Sequence, residues 1–180
     1  MLYLQLAAIP VGHLNDNTII LAEKATLDEL AVLLQPSEMT YLRQAADKGV
    51  NSFFFPQAER SVHVRLLPTA EKDERIRLEE TRLNGNALLR ELRHYKTESA
   101  TLRSFVPDAL SLAFLEGLML GNYQFLSYFT EPGKKANSLT RLNWAHDEAP
   151  QADIAELNAL VKAVYLTRNL VNEPHSHFDA

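Results

Sequence analysis

Residues 51–67 read NSFFFPQAERSVHVRLL. Two β-rich runs, Asn51 to Pro56 and Ser61 to Leu67, flank a short polar connection, the pattern of a hairpin or of two adjacent strands. Phe53 to Phe55 are short and continuously apolar, as central strands covered on both faces are. The second run alternates, with Val62, Val64 and Leu66 on one face, so His63 falls on the other and reads as a solvent-facing strand histidine. Upstream, Leu2 to Ile9 and Thr18 to Lys24 read as strands. Thr26-Leu27-Asp28-Glu29 resembles a capping box, with Thr26 as N-cap and Leu27, Leu30, Leu33 and Leu34 at helical spacing behind it. Pro36 and Ser37 open a further helix that Gly49 ends, with Met39, Leu42, Ala45 and Ala46 on one face. Downstream, Glu71 to Lys96 is charge-rich and helical, supported by Glu71 four residues before Arg75. Asn84-Gly85-Asn86 is a point where it could break or kink. Thr97 to Val106 holds a strand, and Pro107 opens a helix to about Gly121 that is apolar nearly all round and so buried on several sides. Ser138 to Trp144 is the last strand. Asp153 to Asn169 is an amphipathic helix with Ile154, Leu157, Leu160, Val161 and Val164 inward. Strands alternating with helices predict an α/β domain: a mixed, mostly parallel sheet of about five to seven strands with helices on both faces.

The chain has 180 residues, suited to one domain, and its 46% apolar and 23% charged content is that of a globular protein rather than a disordered one. No run of ~18 apolar residues occurs, so no membrane span is expected. The net charge of −5 carries no basic footprint for nucleic acid. MLYLQLAAIP at the start lacks the basic leader of a signal peptide, so a cytoplasmic location is expected. The absence of cysteine removes disulfides, thiol nucleophiles and thiolate metal sites. Six scattered glycines supply no phosphate cradle: there is no Walker loop, G-x-G-x-x-G or G-x-S-x-G.

Polar side chains offer little chemistry. His175 and His177 have chelating spacing but no third ligand, and read as an exposed tail. Glu79-Glu80 and Asp147-Glu148 are adjacent, so their side chains diverge. Tyr123, Phe125, Tyr128 and Phe129 form an aromatic cluster, a core or interface patch or else a stacking platform for a base. Thr167 to Pro174, TRNLVNEP, reads as a helix stop: Arg168 suited to helix-end carbonyls, Asn172 to the left-handed conformation, and Pro174 to block continuation.

TRNLVNEP also resembles the R-[DN]-L-V-N-x-P segment of the leucyl aminopeptidase (cytosol aminopeptidase) family, through Arg168, Asn169, Leu170, Val171, Asn172 and Pro174. Leu115 to Phe125, LEGLMLGNYQF, is similar to that family's E-G-x-x-L-x-x-Y-x-F pattern at Glu116, Gly117, Leu120, Tyr123 and Phe125. The strand and helix between the segments fit the family's spacing. Leu66-Leu67-Pro68-Thr69 stands where the family often has a glycine-containing strand end, which marks a divergent member.

The resemblance implies that residues 1–150 form an N-terminal, non-catalytic, macro-domain-like α/β domain. Residues 151–180 would be the linking helix and the first residues of a catalytic domain. The whole protein would remove N-terminal amino acids from peptides with two divalent metals, zinc or manganese. The family's metal site lies in a K-x-G-G stretch, further aspartates and an N-T-D-A-E-G-R motif, none of which occurs here. No catalytic residue, metal ligand or cofactor is therefore expected in these 180 residues, whose role would be structure and assembly. The implied partners are the protein's own C-terminal catalytic domain and a homohexamer, with no nucleic acid and no membrane. One alternative is a stand-alone macro-like module that binds an ADP-ribose-type or other nucleotide ligand through the Tyr123 cluster. Another is a diverged relative that kept only an interaction role.

Overall fold

The computed structural model describes residues 4–12, 17–58, 60–68 and 73–174. Six strands, β1 (Gln5–Ile9), β2 (Asn17–Glu23), β3 (Ser52–Pro56), β4 (Ser61–Leu67), β5 (Ser99–Ser104) and β6 (Arg141–Ala145), form one sheet in the order β1-β6-β5-β2-β4-β3. All neighbours are parallel except β3, which returns antiparallel on β4 with Phe54 opposite His63 and is therefore the edge strand rather than the central one its apolar run suggests. The helices among the described residues are a 3-10 helix (Lys24–Val32), α1 (Pro36–Asp47), α2 (Glu74–His94), α3 (Asp108–Gly121), the single turn α4 (Pro132–Lys135) and α5 (Gln151–Asn172). The fold is thus the mixed, mostly parallel α/β sandwich that the alternation of strands and helices predicts.

The period-2 alternation of the central strands divides the core into two layers. Ile19 and Leu21 of β2, Ala100 and Leu102 of β5, and Leu142 and Trp144 of β6 turn toward α2, α3 and α5. Ile20 and Ala22, Val62, Val64 and Leu66, and Phe53 and Phe55 turn toward α1 and the 3-10 helix. All the central apolar side chains of β2 are fully buried, which explains the absence of polar alternation there.

Glycines bring α2 and α3 together. A Cβ on Gly117 would stand 1.9 Å from the Arg82 carbonyl oxygen, and one on Gly85 would stand 2.1 Å from that of Phe114. Gly85 therefore does not break α2, as its sequence surroundings suggest; the helix runs unbroken through it because the missing side chain admits α3. Helix α1 ends in a Schellman motif, with Gly49 at φ 87° and Val50 N–H bonded to Ala45 O (3.0 Å). Helix α2 ends the same way, but Lys96 occupies the left-handed position at φ 51°.

Several local expectations are corrected. The capping box lies three residues earlier than expected. Glu23 is the N-cap and Thr26 occupies N3, because the segment starts as a 3-10 helix directly off β2. On α5, Leu160 is 41% exposed and Val164 only half-buried, while Tyr165 takes the inward position; packing on α3 rotates the buried stripe. Asn172 is helical rather than left-handed. His63 is fully buried instead of facing solvent, because α2 covers that face of β4. The Glu71–Arg75 pair, His175 and His177 lie outside the described residues. No described helix is long and apolar enough to cross a membrane.

Candidate functional site

The two segments quoted for the resemblance meet where the C-terminal half of α5 crosses the end of α3. A helix end leaves its last carbonyls without partners in the helix. Here three side chains from other helices supply them. Tyr165 OH donates to Met119 O (2.5 Å), Arg168 Nη1 to Leu120 O (3.1 Å), and Arg93 Nη2 of α2 to Gly121 O (3.2 Å). The two guanidinium groups also complement the negative end of the α3 dipole. Tyr123, two residues past the helix, fixes the crossing. Its hydroxyl donates to Asn169 Oδ1 (2.9 Å) and accepts from Asn172 Nδ2 (3.0 Å). The Arg168 guanidinium lies 5.4 Å from its ring centroid, and the Tyr165 ring packs on it edge-on at 5.1 Å. Leu120, Tyr123, Arg168, Asn169 and Asn172 thus belong to one constellation.

The other motif residues stand apart. Gly117 faces α2, and Glu116 accepts a 2.6 Å bond from Arg82 Nε that holds the guanidinium above its ordinary pKa. Phe125 lies 5.6 Å from the Tyr128 ring, outside the constellation. Leu170, Val171 and Pro174 are exposed. Tyr128 donates to Glu173, and that bond pushes its phenol up to about 12. Tyr165 is the member the motifs do not contain. It lies one helical turn before Arg168 and Asn169, so the period of 3.6 could have found it. Burial pushes its phenol up to about 12. The constellation holds two helices in a fixed relation; no group in it is poised as nucleophile, base or ligand.

Below the constellation, a cavity of about 600 Å³ opens at the N-terminal ends of β1 and β6, floored by Leu4, Leu126, Leu139 and Tyr165. Its amides are spent on the loop that frames it. Asn137 Nδ2 donates to Asn122 O and Oδ1, Asn137 N to Gln124 Oε1, and Asn122 Nδ2 to Leu139 O.

A second polar cluster sits under α2. His63 Nδ1 lies 3.2 Å from Glu91 Oε2, Arg65 Nη2 donates to Glu91 Oε1 (2.5 Å), and Ser61 Oγ lies 3.4 Å from His63 Nε2. The order Ser61, His63, Glu91 is that of a hydrolytic triad. However, Ser61 Oγ is also 2.8 Å from Asn17 Oδ1, and Asn17 is fixed by accepting from Ser61 N and donating to Ser99 O. The hydroxyl has one proton, and the shorter contact directs it to Asn17. Burial lowers the Arg65 pKa and Glu91 offsets this in part. The Glu91 carboxyl is held below its ordinary value by His63 and Arg65, against its own desolvation. This is a hydrogen-bonded, partly buried ion cluster between sheet and helix. Among the described residues no group of three or more His, Asp or Glu is placed to hold a metal ion.

No family model matches the chain, and no curated protein matches it in sequence. Solved structures do match its fold. A tomato leucine aminopeptidase mutant superposes with a TM-score of 0.66 at 15% identity, covering 95% of this chain and 38% of that one. The leucyl aminopeptidase from Leishmania major, in complex with actinonin, gives 0.62 at 14% identity, covering 96% and 36%. A macrodomain mutant from Oceanobacillus iheyensis gives 0.56 at 9% identity, covering 90% of this chain and 92% of that one. The chain spans little more than a third of the length of these aminopeptidases, whereas it spans nearly all of the macrodomain. Its fold is macro-domain-like, and its likeness to the leucine aminopeptidases is one of fold.

Proposed function

We propose that this chain is the N-terminal, non-catalytic domain of a leucyl-aminopeptidase-like metallopeptidase, with α5 as the helix that leads toward a catalytic domain. The observation that carries the reading is the convergence of the two motif segments. The pairing of Tyr123 with Asn169 and Asn172 joins residues 46 and 49 positions apart. The same residues that match the family pattern hold the root of α5 on α3. The outer face of α5 suits such a role: Leu166, Leu170 and Val171 are 53%, 49% and 79% exposed. A helix anchored by its polar residues and showing its apolar ones to solvent fits a surface that a further domain covers. The whole protein would release N-terminal amino acids using two divalent metals, zinc or manganese, held outside these 180 residues. A homohexamer and a cytoplasmic location belong to the same reading.

The test has two arms. Hydrolysis of leucyl-p-nitroanilide by these 180 residues, with added manganese or zinc, should be absent, and turnover would sink the proposal. The coding sequence past Ala180 should continue into K-x-G-G and N-T-D-A-E-G-R motifs; an immediate stop codon would refute it. The near-complete coverage of the macrodomain favours a second reading, a stand-alone module for an ADP-ribose-type ligand. Calorimetry with ADP-ribose separates the two: saturable heat supports the module, and none at millimolar ligand supports the aminopeptidase domain.

A further inference from the structure

The two edges of the sheet are finished differently. At β1, the Asn158 side chain of α5 accepts from Leu6 N–H (3.0 Å) and donates to Leu6 O (2.9 Å), standing in for a neighbouring strand. At β3, the parity of the hairpin fixes which backbone groups point outward. Leu66 N–H bonds to Asn51 O and Gln57 N–H to Arg60 O, so the odd-numbered residues of the strand face β4. The N–H and C=O of Ser52 and Phe54 therefore point to the open edge, and among the described residues no hydrogen bond reaches them. Of the usual protections of natural sheet edges, the strand has its shortness and a terminal Pro56, but SFFF carries no charge. Exposed aromatic rings flank it on both faces. Tyr41 of α1, 60% exposed, packs edge-on against Phe53 and Phe55 at 6.4 and 6.3 Å. Tyr95, 48% exposed, stacks on Phe54 at 4.2 Å.

We propose that β3 is the seam of a twofold dimer, in which the β3 strands of two copies of this chain pair antiparallel about Phe54. The strand is self-complementary in that arrangement. Phe54 on the axis exchanges both backbone hydrogen bonds with its own copy, and Ser52 N–H meets the carbonyl of Pro56, while Ser52 C=O, opposite a proline with no N–H, stays toward water at the end of the ladder. Phe53 lies opposite Phe55 of the other copy, which extends the Tyr41–Phe53–Phe55 cluster across the axis. An edge without charge has nothing to attract a charged partner, whereas an identical edge meets it without desolvating any ion. The two tyrosines expose roughly 200 Å² per copy, taking ~200 Å² for a whole aromatic side chain. Together with five strand residues this falls short of the ~800 Å² per partner of a stable interface, so the dimer is weak and concentration-dependent.

The chain has no cysteine, so a single introduced thiol reports the seam. Hydrogen-bonded antiparallel pairs have Cα atoms ~5.5 Å apart, within disulfide range. Phe54→Cys should therefore crosslink to a dimer on a non-reducing gel under mild oxidation. Ser52→Cys should not, because its copy lies about four residues away along the strand, roughly 13 Å. Equal crosslinking of both variants, or of neither, overturns the proposal. Sedimentation of the native-sequence protein and of Tyr41→Glu decides the matter if loss of the Phe54 ring impairs folding. The native sequence should dimerise reversibly at high micromolar concentration, and Tyr41→Glu should weaken this at least tenfold by placing like charges near the axis. A chain that stays monomeric throughout, or a Tyr41→Glu protein that dimerises as well as the native one, refutes it.

Discussion

Replacing Gly117 by alanine tests the closest contact in the core. In an isolated helix the change would favour folding by about 1 kcal/mol, since glycine is the poorer helix former. In this structure it places a methyl carbon 1.9 Å from Arg82 O, 2.6 Å from Arg82 C and 2.8 Å from Arg82 Cα. All three are backbone atoms, so no rotamer change relieves the overlap. To reach an ordinary carbon–oxygen contact of about 3.2 Å, α2 and α3 must separate by more than an ångström, and Leu88, Leu89, Phe114 and Leu118, all buried in the layer between helices and sheet, lose packing with them. Overpacking of this kind costs ~1–3 kcal/mol or more. Because backbone atoms cannot yield, the cost sits at the upper end, ~3 kcal/mol. Set against the propensity gain of ~1 kcal/mol, the expected net loss is roughly 2 kcal/mol, or ~4–8 °C in midpoint for a chain of this size. The assay is urea unfolding followed by circular dichroism, with Gly133→Ala as control, since a Cβ at Gly133 meets nothing within 4 Å. Gly85→Ala should behave like Gly117→Ala, and the double variant should lose less than the sum because the first separation makes room for the second. A Gly117→Ala protein more stable than the parent sequence would refute the close crossing.

Glu91→Gln removes the charge that faces Arg65 and His63. Because Glu91 is 36% exposed, the loss should fall below the ~3–5 kcal/mol of breaking a fully buried pair, at ~1–3 kcal/mol by denaturant unfolding at neutral pH. The Glu91 pKa is lowered on folding, so its contribution is present above its unfolded value of 4.5 and is lost as pH falls through the lower folded value. The acid slope of stability below pH ~4.5 should accordingly be shallower in Glu91→Gln, and identical slopes would refute the cluster. The phenol of Tyr165 is raised from 10.0 to about 12, so its stabilising effect is present below pH 10 and fades as pH rises toward 12. Ultraviolet titration should show two late-ionising tyrosines, Tyr128 and Tyr165, of which Tyr165→Phe removes one. Lys96→Gly relieves a left-handed lysine in the Schellman motif of α2 and should stabilise the protein by ~1 kcal/mol in thermal unfolding; a loss of stability would show that the lysine side chain matters there.

The strands were legible because their signal is local. The continuous run Phe53 to Phe55 reads as a central strand but forms the edge strand β3, with Phe53 and Phe55 on the α1 face and Phe54 on the other, against Tyr95. The alternation of Val62, Val64 and Leu66 places these side chains where they are found, on the α1 face of the sheet. The same alternation puts His63 on the opposite face but cannot say whether that face is wet. A helix 28 residues away in sequence covers it and brings Glu91 to its ring. Asn17, Ser61, His63 and Glu91 share no period, so no window along the chain contains the cluster. The glycines illustrate the same limit. Asn84-Gly85-Asn86 has the composition of a break, and only the approach of Gly117 from another helix turns it into a packing surface. Propensity is a weak prior that tertiary contact overrides.

The α5 root was legible in chemistry but not in address. Arg168 was expected at helix-end carbonyls and is found there, but the helix is α3 rather than its own. Asn172 carries the composition of a left-handed cap, yet it stays helical because Tyr123 gives its amide a partner that a cap would forfeit. These placements follow from one fact: α3 ends against α2 and α5, and its last carbonyls take donors from whatever packs beside them. Tyr165, Arg168 and Arg93 answer that demand, while Asn169 and Asn172 hold the Tyr123 hydroxyl, which leaves Leu166, Leu170 and Val171 on the outside. A solitary surface helix would do the reverse, burying its leucines and wetting its amides. The polarity of α5 is therefore inverted along its second half, while its first half buries Ile154, Leu157 and Val161 in the ordinary way. The inversion begins where these polar residues begin: the first half of α5 packs on the core through its apolar side chains, and the second half is tied to α3 and Tyr123 by hydrogen bonds that leave its leucines exposed.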